Sequence, residues 1–388
     1  LVVYENLGMK IGIVLYPTYG GSGVVATELG KALAILGHEI HFISYSMPAR
    51  LQSFMENIVF HEVGVANYPL FEYPPYESAL AGKIVDVVKF EKLDVLHVHY
   101  AIPHASAGYM AKQILKTKGI EIPIVTTLHG TDITIVGRDA SLKPVVEFSI
   151  NRSDAVTAVS EHLKNETLAH FDVANDIDVV YNFIDTERFR DQDKQHFKKA
   201  IAPNDEKILL HVSNFRQVKR IQDIIAAFEI AHRSIRCKLI LVGDGPERQK
   251  LETLARKLGV WNDVRFLGKQ DAIDELLNVA DVFLMASERE SFGLAALEAM
   301  AAGVPVISSN AGGLPELNLH GKTGFVFPVS DVEAFADSLK QLLTDEELLT
   351  KFKKQAQAHA RTFATEEIVG QYLEIYERVR ITEKSSIA

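Results

Sequence analysis

Two glutamates bracket a run that could hold a phosphorylated ligand: Glu290-Ser291-Phe292-Gly293-Leu294-Ala295-Ala296-Leu297-Glu298-Ala299-Met300-Ala301-Ala302-Gly303. Apart from Glu298, residues 292–302 are apolar on every side, which predicts a buried helix rather than an amphipathic surface one. Ser291 is expected to cap its start, and Gly303 followed by Pro305 to stop it. The first amides of such a helix have no partner within it, and Gly293 lets an anion approach that positive end. Glu298 lies about 10 Å further along the axis, where it could meet the far side of the same ligand. A carboxylate buried alone costs several kcal/mol, so Glu298 must be paired, with either a core cation or a ligand.

Three other stretches carry possible chemistry. Asn214-Phe215-Arg216-Gln217-Val218-Lys219-Arg220 follows an expected strand at Ile208–Ser213. Cations at a strand end suit a diphosphate leaving group, because departure adds negative charge to the β-phosphate. The competing reading is a solvated basic face, and it is preferred for Arg220. Gly20-Gly21-Ser22-Gly23 lies between the first strand and a helix expected at Val24–Leu36. Gly21, Gly23 and Ala26 also fit a Gly-x-Gly-x-x-Ala dinucleotide turn, but that site needs an acid after the second strand and Phe42-Ile43-Ser44-Tyr45-Ser46 supplies none. A purely structural turn stays open. His129-Gly130-Thr131-Asp132 stands at a strand's carboxyl end, where side chains enter a cleft. His97 and His99, with His104 after them, read as packed and hydrogen-bonded rather than as metal ligands.

The elements that must position these groups alternate. Strands are expected at Ile11–Tyr16, Glu39–Tyr45, Val95–Tyr100, Ile124–Leu128, Ala155–Val159 and Asp178–Tyr181. A second series follows at Ile208–Ser213, Leu239–Val242, Val264–Leu267, Val282–Ala286, Val306–Ser308 and Gly324–Phe327, with helices between. This pattern predicts an α/β chain of two tandem doubly wound domains. The expected division is a first domain at 9–182, a linker at 183–206, a second domain at 207–362 and a closing segment at 363–388. Residues 1–8 read as added sequence ahead of a start at Met9. With 388 residues, 47% hydrophobic and 24% charged, the chain is long enough for two cores. Its net charge of −10 argues against nucleic acid as a partner. No apolar run is long enough for a membrane span, no signal-peptide pattern is present, and a cytoplasmic location is expected. One cysteine, Cys237, excludes an internal disulfide and a cysteine-based zinc site.

Glu290 and Glu298, with Phe-Gly close behind the first, resemble the paired-glutamate motif of the retaining glycosyltransferases of family 4. That family has two Rossmann-like domains (GT-B) with the ligand cleft between them. Asn182-Phe183-Ile184-Asp185 followed by Phe189 resembles the family's landmark at the end of the first domain, with Phe183 where Gly is frequent. The resemblance implies that Glu290 holds donor-sugar hydroxyls, that Glu298 holds the nucleotide ribose, and that Phe292, Gly293 and Leu294 face the diphosphate. Lys219 stands at the family's diphosphate lysine. Asn214 occupies the usual arginine site, two positions before Arg216, so the role of Arg216 rests on proximity. Phe266-Leu267-Gly268 matches the segment lying against the base, which assigns Leu267 there, and Gly243-Asp244-Gly245-Pro246-Glu247 matches a structural loop with Pro246 opening a helix. Gly21 is assigned an amide to the diphosphate. His129 is assigned to the donor sugar near the reacting centre, with Asp132 orienting it. The implied catalytic set is His129, Arg216, Lys219 and Glu290.

From Met9 onward, the glycine loop, the stretch His97-Val98-His99-Tyr100-Ala101-Ile102-Pro103-His104, the His129 stretch and Ser213-Asn214-Phe215-Arg216 together resemble one branch of that family. That branch passes N-acetylglucosamine from UDP-N-acetylglucosamine to the hydroxyl of L-malate in bacillithiol biosynthesis. A dicarboxylate acceptor needs a cation and several hydroxyl or amide donors. Ser22, Tyr100, Thr131 and Lys143 are the expected acceptor residues, with Arg138 and Arg152 as further cations. No metal and no cofactor are expected, and a homo-oligomer is compatible with the sequence. Three alternatives stay open: an epimerase or hydrolase of UDP-N-acetylglucosamine, a non-catalytic nucleotide-sugar binder, and a transferase to an inositol phosphate or glycan.

Overall fold

Runs of Val, Ile and Leu buried on both faces form parallel strands, and the intervening helices cover them. The computed structural model describes residues 8–18, 20–51, 54–65, 72–134, 139–189 and 195–387. It divides into two units, one of residues up to Asn182 together with Thr365 onward, the other Phe183–Ala364.

In the first unit the strands are β1 (Lys10–Val14), β2 (Glu39–Ser44), β3 (Ile58–Glu62), β4 (Val95–His99), β5 (Ile124–Leu128), β6 (Ala155–Ala158) and β7 (Ile177–Val179). They form one parallel sheet in the order β3-β2-β1-β4-β5-β6-β7. Its helices are α1 (Gly21–Ile35), α2 (Tyr76–Val87), α3 (Ser106–Lys116), α4 (Thr131–Thr134), α5 (Lys143–Asn151) and α6 (Glu161–His170), with π-helical turns at Val88–Lys92 after α2 and, kinked at Ile102, at Ala101–Ala105 before α3. Strand β3 was not expected. It is an edge strand, half exposed along its length, and so carries no continuous apolar run.

The second unit contributes α7 (Gln195–Ile201), β8 (Lys207–Val212), α8 (Ile221–His232), β9 (Cys237–Val242), α9 (Arg248–Lys257), β10 (Val264–Gly268), α10 (Ile273–Leu277), β11 (Val282–Met285), α11 (Leu294–Ala301), β12 (Val306–Ser309), α12 (Leu314–Leu317), β13 (Gly324–Phe327), α13 (Val332–Thr344) and α14 (Glu346–Ala360). Its sheet is also parallel, in the order β10-β9-β8-β11-β12-β13. The core between this sheet and its helices includes Phe228, Leu239, Leu284, Phe335 and Phe352. Helix α9 opens after Glu247, so Pro246 precedes the helix rather than starting it.

The stretch 183–206, expected as a linker, packs into the second unit. The Ile184 amide donates to the Phe363 carbonyl at 2.9 Å, and α7 lies within the stretch. The closing helix α15 (Thr365–Ile387) belongs to the first unit, where Tyr372 and Tyr376 are fully buried. No described helix is long and apolar enough to cross a membrane. Cys237 is buried, and burial pushes its thiol up to about 12, so it is inert at neutral pH.

Candidate functional site

Each sheet reverses its strand order once, between β1 and β4 in the first unit and between β8 and β11 in the second. Open α/β sheets bind ligands beyond the carboxyl ends of their strands at such points. Gly21, Ser22 and Tyr100 lie on the loops at the first of these points, the first crevice, and Lys219 and Glu290 on the loops at the second.

In the first crevice, Gly21 and Ser22 open α1, where the first amides of the helix have no intrahelical partner. Tyr100 follows β4 at a φ of 89°, a region that L residues rarely adopt and that tends to mark functional positions. Its hydroxyl donates to Ser22 Oγ at 2.7 Å, tying together the two loops that flank the switch point. Burial pushes the Tyr100 phenol up to about 12, so it keeps its proton at neutral pH.

Beneath this pair lies a pile of buried histidines. His99 Nδ1 and His129 Nε2 are 2.8 Å apart, and their rings stack at 5.1 Å. His97 bonds the Tyr376 hydroxyl through Nδ1 and Thr127 Oγ1 through Nε2, both at 2.7 Å. His104 Nδ1 donates to the His99 carbonyl at 2.5 Å. Burial, the largest cause in each case, holds His97 and His129 near 3 and His104 near 4, and drives His99 well below its ordinary value. All four are neutral at pH 7. The expected packed, hydrogen-bonded reading of His97 and His99 agrees with this arrangement.

Asp132 differs from its expected role. Its carboxylate accepts from the Ala101 amide at 2.9 Å and the Gly130 amide at 3.0 Å, so it clamps the loops after β4 and β5. The side chain bonded to the His129 ring is His99. Thr131 is exposed at the start of α4. Lys143 is not brought to Ser22 and Tyr100: its ammonium lies 3.6 Å from Glu147 and over the Phe171 ring. Arg152 stands at the other end of α5 against Phe148, and Arg138 lies outside the described residues.

The second crevice is charged. Lys219 Nζ and Glu290 Oε2 are 2.6 Å apart with both side chains mostly buried. The Glu288 amide donates to the Val218 carbonyl at 2.8 Å, which stitches the β8 and β11 loops beside that pair. Ser287 Oγ lies 3.5 Å from the same Glu290 oxygen. The backbone of Glu290 rests on Gly312, where a Cβ would fall 1.7 Å from the Glu290 carbonyl oxygen. The Gly313 amide donates to that oxygen at 3.0 Å. Arg216 is exposed at the start of the short turn that ends in Lys219. Arg220 pairs with Asp223 at 2.6 Å with its side chain only partly exposed, so it is held in an ion pair rather than on the solvated face expected of it.

Helix α11 begins two residues later than expected. Its N-cap is Gly293 at a φ of 105°, not Ser291, and the Gly293 carbonyl takes the Ala296 and Leu297 amides. The left-handed turn favours glycine, and a Cβ there would also meet Leu314 Cδ2 at 2.6 Å. Glu298 therefore lies only about 6 Å along the axis from the helix start at Leu294, and it is buried. The Phe292 ring is buried edge-on against Phe363, so ligand contact from Phe292 falls to its backbone. Leu267 is partly buried at the end of β10, its carbonyl accepting from Gln270.

Two supports escaped the sequence reading. His211 underlies the second crevice, donating from Nδ1 to the Leu284 carbonyl and accepting from Ser213 Oγ, each at 2.7 Å, with burial holding it near 4. Gly312 is the other, and its only signal was the pair Gly312-Gly313 after β12.

A family described as Glycosyltransferase Family 4 matches residues 19–188, and one described as Glycosyl transferases group 1 matches residues 191–359. The N-acetyl-alpha-D-glucosaminyl L-malate synthase of Bacillus anthracis is 50% identical over 379 residues, which cover 97% of this chain and 99% of that protein. A D-inositol 3-phosphate glycosyltransferase of Corynebacterium glutamicum is 27% identical over 79% of this chain and 77% of its own length. Among solved structures, Anabaena Alr3699/HepE in complex with UDP and glucose superimposes with a TM-score of 0.80, covering 95% of this chain and 99% of that one at 21% identity, a likeness of fold. With two Rossmann-like parallel sheets and half its residues shared with the Bacillus anthracis synthase over nearly the whole length, this chain belongs to the GT-B glycosyltransferases of family 4.

Proposed function

We propose that the chain is a retaining, metal-independent hexosyltransferase that moves N-acetylglucosamine from UDP-N-acetylglucosamine to the hydroxyl of L-malate. One observation carries the substrate pair: the 50% identity to the Bacillus anthracis N-acetyl-alpha-D-glucosaminyl L-malate synthase over 97% of the chain. The contrast between a charged and a neutral crevice supports the division of labour.

On this reading the second crevice takes the donor. Lys219 exchanges Glu290 for a diphosphate oxygen, Arg216 and the amides at Phe292, Gly293 and Leu294 add further donors, and Glu290 turns to the sugar hydroxyls. Glu298 holds the ribose and the Leu267 backbone lies against the base. The sugar–phosphate bond breaks as the malate oxygen bonds the anomeric carbon on the same face, and the malate proton passes to a donor phosphate oxygen. Fixed cations serve this step because negative charge grows on the leaving UDP. Gly21 adds an amide to the diphosphate, and His129, neutral and held by His99, lies against the sugar near the reacting carbon. Ser22, Tyr100 and Thr131 hold the acceptor. Lys143 joins them only by leaving Glu147.

The test is UDP release from UDP-N-acetylglucosamine, with chelator present, on addition of L-malate, an inositol phosphate or no acceptor. Malate-dependent release is expected. Equal release without acceptor would make the chain a hydrolase or epimerase, and release with inositol phosphate alone would replace the acceptor.

A further inference from the structure

At the outer edge of the first sheet, on none of the residues assigned above, three potential ligands converge. His41 lies on β2 and His61 on β3. His41 pairs in register with Val59, so His61, two positions further, falls on the same face of the sheet. The π-helical turn Val88–Lys92 brings Glu91 to that face, its Val88 packed in the same core as Ile43 of β2. One ligand atom from each of His41, His61 and Glu91 lies within 4.8 Å of the other two. His41 is fully buried, and the other two are partly so.

The hydrogen bonds already orient this set. His41 Nε2 lies 3.0 Å from Glu39 Oε1, an oxygen that also takes Lys10 Nζ at 2.9 Å. A carboxylate only accepts, so the His41 proton sits on Nε2 and Nδ1 presents a lone pair. That lone pair faces His61 Nε2 at 2.9 Å, with the two rings stacked at 5.2 Å. An imidazole that donates one ring N–H to a carboxylate while its other nitrogen faces further ligands is the outer-shell arrangement of metal-binding histidines.

We infer that His41 Nδ1, His61 Nε2 and a Glu91 carboxylate oxygen form a binding site for one divalent cation of the zinc class, its fourth position taken by water. Two imidazoles and a carboxylate, without thiolate, suit Zn²⁺ or Co²⁺ and are a poor set for Mg²⁺ or Ca²⁺, which prefer all-oxygen ligands. Zinc–nitrogen bonds of about 2.1 Å at a tetrahedral angle put two ligating nitrogens about 3.4 Å apart. The two imidazoles need to open by about half an ångström, a small ring rotation. The bound ion would displace the proton shared between them and join the edge strand β3 to β2 and to the turn carrying Glu91. Its role is to hold that edge, separately from sugar transfer.

The test uses tag-free full-length protein freed of metal with chelator. Calorimetric titration with Zn²⁺ is expected to show one equivalent bound, Co²⁺ to give the visible absorption of a four-coordinate site, and Tm to rise with Zn²⁺ concentration but not with Mg²⁺. His61→Gln should abolish that equivalent, and Glu91→Gln should weaken it at least tenfold, both keeping the wild-type circular dichroism and malate-dependent UDP release. If His61→Gln does not fold, the titration of Glu91→Gln decides. No Zn²⁺ binding by the wild type would overturn the site and leave His41 and His61 as a hydrogen-bonded pair. Undiminished binding in the variants would place the ion elsewhere and overturn it equally.

Discussion

The two crevices occupy the same topological position in two sheets of the same kind, yet the side-chain pairs on their loops differ in charge. In the first, Ser22 with Tyr100 and His99 with His129 are neutral pairs over a histidine pile that burial keeps unprotonated. In the second, Lys219 and Glu290 form an ion pair. The strand order sets where a ligand can sit, and the residues on the loops decide whether it is met by charge or by hydrogen bonds. On the proposed reading that division suits the reaction, since charge builds up on the leaving diphosphate while a sugar and a hydroxyl need only be positioned.

Acid should separate the two regions most strongly. A histidine held neutral by burial has a native pKa below its unfolded value of about 6.5, so the unfolded chain binds more protons as pH falls below that value. Each such group stabilises the fold fully above pH 6.5 and withdraws about 1.4 kcal/mol per pH unit on the way down. In the first unit this applies to His97, His99, His104 and His129, with His38, His41 and His61 shifted the same way. Asp132 opposes them: burial pushes it up to about 6, so the native state keeps its proton between about pH 6 and 4 and gains stability there. One carboxylate offsets roughly one histidine. In the second unit burial acts on His211 and His359. The chain's one tryptophan, Trp261, lies in the second unit and reports on it alone. Acidification from pH 7 to 4 should therefore reduce far-ultraviolet circular dichroism before Trp261 emission changes. Simultaneous loss of both signals would mean that the histidine pile does not set the first unit's acid stability.

Lys219→Ala should give the next largest effect. Removing a cation aimed at charge that develops in the transition state costs about 10²- to 10³-fold in kcat. The neutral crevice should be unaffected, so the KM for malate should stay within about twofold, less than the loss of a hydrogen bond would produce. A variant with near-normal kcat would remove Lys219 from the leaving-group site and blur the contrast between the crevices.

How much of this was legible follows the same division. The residues of the second crevice were legible one by one: Glu290, Glu298 and Lys219 sit in short stretches whose residue types already suggest phosphate and sugar, although the pairing of Lys219 with Glu290 was not read. Most strands were legible because parallel strands buried on both faces read as apolar runs, whereas the half-exposed edge strand β3 does not. The start of α11 was misplaced because a left-handed Gly293 can end one turn and open another, which residue type alone does not distinguish from a helical glycine. In both crevices the contacts themselves join residues far apart in sequence, 78 positions for Tyr100 and Ser22, 30 for His99 and His129 and 71 for Lys219 and Glu290. Such pairs depend on strand order. Ser22 and Tyr100 were each named from the resemblance, but their bond was not, and Lys143 was named although its nearest partner, Glu147, is one turn away on its own helix.

The smallest effect tests that bond. The Tyr100 phenol keeps its proton and spends it on Ser22 Oγ, which leaves the Ser22 proton free to point outward. An acceptor carboxylate or hydroxyl would then meet a serine donor already fixed in direction, with little rotamer entropy left to lose. Tyr100→Phe removes the constraint without changing the ring's shape. A neutral hydrogen bond contributes about 0.5–1.5 kcal/mol, so the KM for malate should rise about three- to tenfold while the KM for the nucleotide sugar and kcat stay near normal. Ser22→Ala should shift the same constant, and the double variant should be no worse than Ser22→Ala, because both act through one bond. Additive effects would give Tyr100 its own contact with the acceptor. A change confined to the donor KM would move the pair out of the acceptor's reach and leave the neutral crevice serving the sugar alone.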